Sequence, residues 1–307
     1  MSNKLAILVP TCNRPETVRE VLHYSATYLK NNGVDIYYYD SSETSLTEEM
    51  IREMNDQKYD NVHYIPVLDS LSYGEKIDLL FSRYGIEKEY DYIWPMNDRV
   101  ICNEKMLRIV LSRCDGEADV IISLGLGDIY EGDRCDLYSP VDLYRLFGKQ
   151  TTSLETVIYN TNTILNGYKF GECEAAPSHR KNFWQFDVLY RRLSLLERPV
   201  IGIVSKADAY NINTSEKVES YWSEKIFEVW IEEWIRENFE LPDIYSKDKL
   251  FVIKDTASIM ELLGNYKRFE KLHSQGMFNF ETFKKYEGMW EYVTNIPVDE
   301  LRKLSLS

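Results

Sequence analysis

Short apolar segments alternate with helical patterns through the first 125 residues of this 307-residue chain. The apolar segments are residues 5–10, 34–40, 62–67, 90–96 and 119–123. Between them, residues 15–30, 46–57, 72–84 and 104–113 have the length and spacing of helices. Parallel strands need a crossover connection, which is usually a helix. The order therefore predicts an α/β fold with a mostly parallel sheet and helices on both of its faces.

The pattern changes beyond residue 215, where apolar side chains recur every three or four positions. This spacing predicts a long amphipathic helix over residues 216–238. Shorter helices are expected at residues 256–263, 266–274, 280–292 and 298–304. We therefore predict an α/β domain of residues 1–214 and an all-helical C-terminal subdomain of residues 215–307.

Charge and cysteine content exclude several classes of function. A net charge of −14 argues against nonspecific binding to nucleic acid or to an anionic membrane surface. The five cysteines are odd in number and have no CxxC spacing, which indicates reduced thiols rather than disulfides or a zinc site. No apolar stretch approaches the ~20 residues that a membrane helix needs. A soluble, cytoplasmic protein is the expectation.

Polar residues stand where the predicted strands end. Thr11 and Arg14 follow the first strand, Asp40 ends the second, and Asp98 follows the fourth. In α/β sheets, ligands bind outside the carboxyl ends of the strands. A carboxylate there can hold a divalent metal, and the metal can hold a diphosphate.

Four segments carry a resemblance to a known family: PTCNRP at residues 10–15, Asp40-Ser41, YGEK at residues 73–76, and DYIWPMNDR at residues 91–99. Their order and spacing resemble family 2 glycosyltransferases with the GT-A fold, of the kind that modifies bacterial surface glycans or glycoproteins. The resemblance implies a GT-A fold, with nucleotide binding in residues 1–125 and acceptor binding in residues 126–214.

The resemblance also implies roles for individual residues. Thr11 and Arg14 would line the nucleotide pocket, and Asp40 would accept a hydrogen bond from the base, with uracil as the expected base. Lys76 would lie near the nucleotide or its phosphates. Asp98 would bind Mn²⁺ or Mg²⁺, which neutralises the departing diphosphate.

One departure from the family pattern bears directly on the metal. The family places two or three acidic residues where this chain has Asn97-Asp98-Arg99. Two interpretations stay open. Asp98 holds a metal while Arg99 points away, or Arg99 itself pairs with the diphosphate and the metal is dispensable.

Transfer to a hydroxyl requires a base. The resemblance places it at the start of a helix in the acceptor half, where Asp187 is the best match, with Glu172 and Glu174 in reserve. The implied reaction is an inverting transfer of a hexose-type sugar from a UDP-sugar to a glycan or glycoprotein.

A nucleotidyltransferase is a weaker alternative, because residues 11–15 contain no glycine to cradle a triphosphate. A non-catalytic nucleotide- or glycan-binding module is the other alternative.

Each predicted site residue also has an ordinary structural interpretation. Asp40 could cap the next helix, and Lys76 could be a solvated surface charge. Asp98 could pair with Arg99 or occupy a turn, and Asp187 could be a surface acid.

Aromatic side chains are abundant, with 23 Tyr and 6 Trp, and their faces can stack on sugar rings. In the helical subdomain they either pack in a core or form a surface for the acceptor glycan or an oligomer contact. The residues concerned are Tyr221, Trp222, Trp230, Trp234 and Trp290.

Overall fold

The computed structural model describes residues 3–56, 59–67, 71, 73–84, 90–123, 135–168, 182–204, 209–211, 225–259 and 263–307. The chain divides into two compact units. The first comprises Met1–Asp142 and Gln150–Lys217, and the second comprises Leu143–Lys149 and Val218–Ser307.

Among the described residues, ten strands and six helices begin in the first unit. The strands are β1 Asn3–Thr11, β2 Asp35–Asp40, β3 Val62–Pro66, β4 Tyr90–Pro95, β5 Val100–Cys102, β6 Val120–Ser123, β7 Cys135–Leu137, β8 Val157–Asn160, β9 Ile201–Val204 and β10 Ala209–Asn211. The helices are α1 Pro15–Asn31, α2 Leu46–Asp56, α3 Tyr73–Leu79, α4 Glu104–Arg113, α5 Pro140–Phe147 and α6 Trp184–Leu193. A π-helical turn, Leu80–Tyr84, extends α3.

Eight of these strands form one sheet, in the order β3-β2-β1-β4-β8-β6-β9-β7. The pairs β3–β2, β2–β1, β1–β4 and β6–β9 are parallel, while β8 runs antiparallel to β4 and β6. The predicted α/β class with a mostly parallel sheet is confirmed. β5 and β10 form a separate antiparallel pair.

The central strand β1 shows why the sequence forms this sheet. Every side chain from Leu5 to Val9 is at most 2% exposed. A strand covered on both faces is apolar throughout instead of alternating. Leu22 and Leu29 of α1 belong to the same core as alternate residues of β1.

The strand register brings three polar strand ends to one edge of the sheet. Thr11, the last residue of β1, pairs with Asp40, the last residue of β2. On the other side, Pro95 of β4 pairs with Leu8, and the amide of Met96 donates to the carbonyl of Leu8 (2.9 Å). The segment that contains Asp98 therefore follows a strand next to β1, at the edge where Thr11 lies.

The second unit contains α7 Trp234–Glu240, α8 Lys249–Ile259, α9 Tyr266–Ser274, α10 Phe280–Lys285, α11 Trp290–Val293 and α12 Val298–Ser305. A π-helical segment, Glu228–Glu233, leads into α7. The predicted helix over 280–292 is two helices, separated by a turn at residues 286–289. Residues 216–224 of the predicted long helix lie outside the described residues. In the described part of the chain, no helix is long and apolar enough to cross a membrane.

Aromatic side chains form the core of the second unit. Trp230, Trp234 and Trp290 are at most 3% exposed. The Trp290 ring stacks on Phe283 at 6.1 Å and meets Phe278 edge-on at 5.7 Å. These three tryptophans therefore pack inside their own unit and do not present a surface for a glycan. Tyr221 and Trp222 lie outside the described residues.

The segment Leu143–Lys149 belongs to the helical unit, although the sequence pattern placed it in the α/β domain. Its Tyr144 hydroxyl donates to Asn238 Oδ1 (2.6 Å). A Cβ at Gly148 would lie only 2.7 Å from Val252 of α8 and 2.5 Å from the Tyr144 carbonyl oxygen. Glycine is therefore required where this segment approaches α8.

We expect Tyr144→Phe to lower the free energy of unfolding of the helical unit by about 1–3 kcal/mol, because Asn238 is 0% exposed and would lose its donor. Urea titration followed by circular dichroism measures the change. Tyr266→Phe is the matched control, since Tyr266 lies in the same unit and is 36% exposed. Equal stability of the two variants would contradict the assigned role of the hydrogen bond.

Candidate functional site

The Asp98 carboxylate accepts hydrogen bonds from two side chains at the sheet edge. Arg14 Nη1 donates to Oδ1 (2.8 Å) and to Oδ2 (3.1 Å), and Thr11 Oγ1 donates to Oδ2 (3.0 Å). Asp98 is 5% exposed. The cation that neutralises Asp98 is thus Arg14, 84 residues away in sequence, and not the adjacent Arg99.

A strained turn places Arg14 at this carboxylate. Asn13 has a φ of 54°, in the left-handed region that Asn tolerates better than most residues. Arg14 is the N-cap of α1, and Pro15 occupies the first helical position. The amide of Asn13 donates to Ser42 Oγ (2.6 Å), so the turn after β1 is tied to the segment after β2.

Asp40 offers a buried acceptor oxygen. Its Oδ1 accepts hydrogen bonds from the amide of Ser42 (2.9 Å) and from the Ser42 hydroxyl. Its Oδ2 is buried and has no hydrogen-bond partner among the described residues. Desolvation raises the pKa of the nearby Tyr64 to about 12, and the charge of Asp40 and a side-chain interaction with Asp40 add to the shift, although the Tyr64 hydroxyl makes no hydrogen bond to Oδ2. Because a buried acceptor without a donor is costly, Oδ2 is a ready partner for a ligand N–H.

Two further cations lie at or beside these strand ends. Lys76, in α3, donates to Ser41 Oγ, so the alternative interpretation of a freely solvated charge does not hold, while its place near the phosphates stays a prediction. Arg99 follows Asp98, and its Nε is buried with no hydrogen-bond partner within the described parts of the chain. Three cations, Arg14, Lys76 and Arg99, therefore lie in the same region as the carboxylates of Asp40 and Asp98.

Glu155 is a part of this region that sequence reasoning missed. Its Oε2 accepts from Asn97 Nδ2 (2.6 Å), and its backbone carbonyl accepts from Trp94 Nε1 (2.7 Å). Burial raises the pKa of Glu155, and the Asn97 hydrogen bond opposes this effect. Desolvation raises the pKa of Tyr73, and the charges of Glu155 and Asp98 raise it further. Glu155 precedes β8 in a short 3₁₀ turn, and no sequence signal connects it with residue 97.

Asp187 lies in the first turn of α6 and is 0% exposed. Arg191 Nε donates to its Oδ1 at 2.6 Å, one helical turn away. The interpretation of Asp187 as a surface acid is therefore wrong, while its role as a base stays a prediction. The reserve candidates Glu172 and Glu174 lie outside the described residues.

The groups around Asp98 do not suit a divalent metal as they are arranged. Both carboxylate oxygens already accept hydrogen bonds, and the Asn97 amide is bound to Glu155. Among the described residues, no group of three or more His, Cys, Asp or Glu side chains could hold a metal ion. A metal on Asp98 would also face the Arg14 guanidinium. Two unit charges about 4 Å apart repel by about 4 kcal/mol at an effective dielectric constant of about 20, and a divalent ion doubles that.

Comparison with solved structures identifies the fold. The chain matches S. aureus TarS residues 1–349 with a TM-score of 0.57 and 14% identity, covering 98% of this chain and 90% of that one. The same TarS fragment in complex with UDP also matches with a TM-score of 0.57 and 14% identity. A longer TarS structure matches with a TM-score of 0.59 and 14% identity, and this chain spans 55% of its length. No family model and no curated protein sequence matches the chain.

These neighbours are GT-A glycosyltransferases, so the GT-A fold that the four sequence motifs implied is confirmed. At 14% identity the likeness shows the fold alone.

The raised pKa of Glu155 predicts a pH-dependent stability. A folded carboxyl with a raised pKa binds its proton more tightly than the unfolded chain does, so wild-type stability falls as pH rises from the ordinary glutamate pKa of 4.5 through the raised folded value. Glu155→Gln removes this ionisation and keeps an acceptor for Asn97. We therefore expect the difference in unfolding free energy, Glu155→Gln minus wild type, to become more positive as pH rises from about 4 to 7. A constant difference over that range, measured by urea titration, would contradict the buried titration.

Proposed function

We propose that the chain transfers a sugar from a nucleotide sugar, with a UDP-sugar as the donor, to an acceptor hydroxyl. The observation that carries the proposal is the convergence of Asp40, Arg14 and Lys76 at one edge of the sheet. This edge combines a buried acceptor oxygen with two cations, which is the complement of a nucleobase joined to a diphosphate. The TarS fragment of the same fold, which has been solved with UDP, supports this choice of ligand.

Asp40 is proposed to recognise the base. Its Oδ2 has no partner among the described residues, while Oδ1 is fixed by Ser42. The N3–H of uracil is a donor that would satisfy Oδ2. A guanine would instead present N1–H and N2–H together, for which the single free oxygen of Asp40 is a poorer match.

Phosphate binding falls to the cations of the site. Lys76 and Arg14 are proposed to lie along the nucleotide, and Arg99 is the third cation. The resemblance implies Mn²⁺ or Mg²⁺ at Asp98, where it would act as a Lewis acid on the diphosphate. The present contacts of Asp98 do not fit that ion, so we assign no step of the reaction to it.

Asp187 is proposed as the general base. It would take the proton of the acceptor hydroxyl as that oxygen forms a bond to the anomeric carbon. The bond from the anomeric carbon to the phosphate oxygen breaks, and its electron pair leaves with the nucleoside diphosphate. A single displacement of this kind inverts the anomeric configuration. Arg191, bonded to Asp187 Oδ1, would orient the carboxylate.

A hexose-type sugar and an acceptor in a bacterial surface glycan or glycoprotein complete the proposal. Both rest on the motif resemblance. We also propose that the helical unit contacts the acceptor, through residues other than the three buried tryptophans.

A non-catalytic nucleotide-binding module is the second candidate. The neutralisation of Asp98 by Arg14 favours it, because the acidic cluster of an active metal-dependent transferase is absent from residues 97–99. Measured turnover separates the two candidates.

In calorimetric titrations with UDP, GDP and dTDP, we expect UDP to bind more tightly than GDP. Asp40→Asn should weaken UDP binding by about tenfold, because the charge-assisted hydrogen bond to the base is lost. Asp60→Asn is the control, since Asp60 lies before β3, away from the carboxyl ends, and its side chain is 82% exposed. Equal UDP affinity of the two variants would remove Asp40 from the base pocket.

Asp187→Asn should retain UDP binding and lower the rate of sugar transfer by about 10²–10⁴-fold, the usual contribution of a general base. Glu197→Gln, an exposed acid close after α6, serves as the control. Transfer by Asp187→Asn at the wild-type rate would exclude it as the base. An absence of turnover in the wild-type protein that binds UDP would favour the non-catalytic module.

A further inference from the structure

We infer that Arg14 and Arg99 take the place of a divalent metal ion as the countercharge of the donor diphosphate, and that Asp98 positions Arg14 instead of binding a metal. The inference rests on the proposed function, because it assigns the phosphate subsite of the same pocket. Its first support is the pair itself, in which Arg14 Nη1 lies 2.8 Å from Asp98 Oδ1.

Arg14 is more exposed than Asp98, and this difference indicates the role of each residue. The Asp98 side chain is 6% exposed and the Arg14 side chain 28% exposed. The carboxylate is thus covered by its partners, while part of the arginine remains accessible to a ligand. A guanidinium has five N–H donors, and among the described residues Arg14 binds Asp98 through Nη1 alone. The remaining donors can bind phosphate oxygens while the ion pair persists.

Thr11 fixes the carboxylate from the other side. Its hydroxyl donates to Asp98 Oδ2 at 3.0 Å, so Asp98 is held by two residues of the segment at the end of β1. A carboxylate held in this way orients one guanidinium well. A metal ion on this carboxylate would lie against the Arg14 guanidinium that Asp98 holds.

Arg99 supplies a second, independent observation. Its Nε is buried and lacks a hydrogen-bond partner in the described part of the chain. A buried guanidinium N–H without an acceptor is unfavourable, and an oxygen of a bound anion would satisfy it. The resemblance implies two or three acidic residues over positions 97–99, where this chain has one acid followed by a cation.

The charge balance is consistent with this role. Arg14 and Arg99 together exceed the charge of Asp98 by one positive charge, and Lys76 and Asp40 at the same edge offset each other. Such a set offsets part of the charge of a diphosphate, and guanidinium groups bind phosphate oxygens in pairs.

Calorimetric titration with UDP in EDTA and in Mn²⁺ tests the inference. We expect similar affinity under both conditions for the wild type. Arg14→Met and Arg99→Met should each weaken metal-free UDP binding by about tenfold or more, since each removes a charge-assisted contact. Arg14→Lys keeps the positive charge but loses the planar guanidinium. Its affinity for UDP should lie between those of Arg14→Met and the wild type. Arg19→Met, on the exposed side of α1, is the matched control.

Asp98→Asn distinguishes the two roles of this carboxylate. If Asp98 only positions Arg14, the substitution should change the affinity for UDP by the same factor in EDTA and in Mn²⁺. A second readout uses Mn²⁺ alone as the probe, since free Mn²⁺ has an electron paramagnetic resonance signal that is lost on binding. Because UDP itself binds some Mn²⁺, we expect the signal with protein and UDP to equal the signal with UDP alone. Circular dichroism melting confirms that each variant is folded.

UDP binding that requires Mn²⁺ and disappears in Asp98→Asn would overturn the inference and leave the proposed donor site standing. Wild-type UDP affinity in either arginine-to-methionine variant would overturn it as well. Failure of UDP to bind under both conditions would overturn the proposed function itself.

Discussion

The ion pair between Arg14 and Asp98 organises the edge of the sheet on which the proposed site depends. It joins the turn after β1 to the segment after β4, and Thr11 completes the contact. Removal of one partner from a buried pair typically costs about 3–5 kcal/mol, because the other charge is left uncompensated; partial exposure of Arg14 places this pair below that range. The pair thus fixes a cation at a strand end where the motif resemblance implied a metal.

The sequence was sufficient to predict that Thr11, Asp40 and Asp98 would converge at this edge. Apolar runs determine where strands stop, and parallel pairing brings those ends together, as the pairing of Thr11 with Asp40 shows. The sequence did not predict that Arg14 would bind Asp98, because that contact depends on the left-handed turn at Asn13. Glu155 was also unpredicted, because its contact with Asn97 arises only when β8 pairs with β4 in the folded sheet.

In the helical unit, too, the sequence predicted burial but not the packing partners. Aromatic residues at helical spacing indicate burial, and Trp230, Trp234 and Trp290 are buried. Periodicity does not reveal which core receives them, nor that Leu143–Lys149 would join this unit through Tyr144 and Gly148. The break between α10 and α11 is a local turn that the continuous apolar pattern of residues 280–292 concealed.

Hydrogen exchange measured by mass spectrometry, with and without UDP, tests the central claim that one strand edge forms a nucleoside diphosphate pocket. The account predicts UDP-dependent protection of amides in residues 11–18, 40–43, 73–77 and 96–100. These segments contain Thr11, Arg14, Asp40, Lys76 and Arg99. Protection confined to other segments, or its absence at a UDP concentration that saturates binding, would contradict the account.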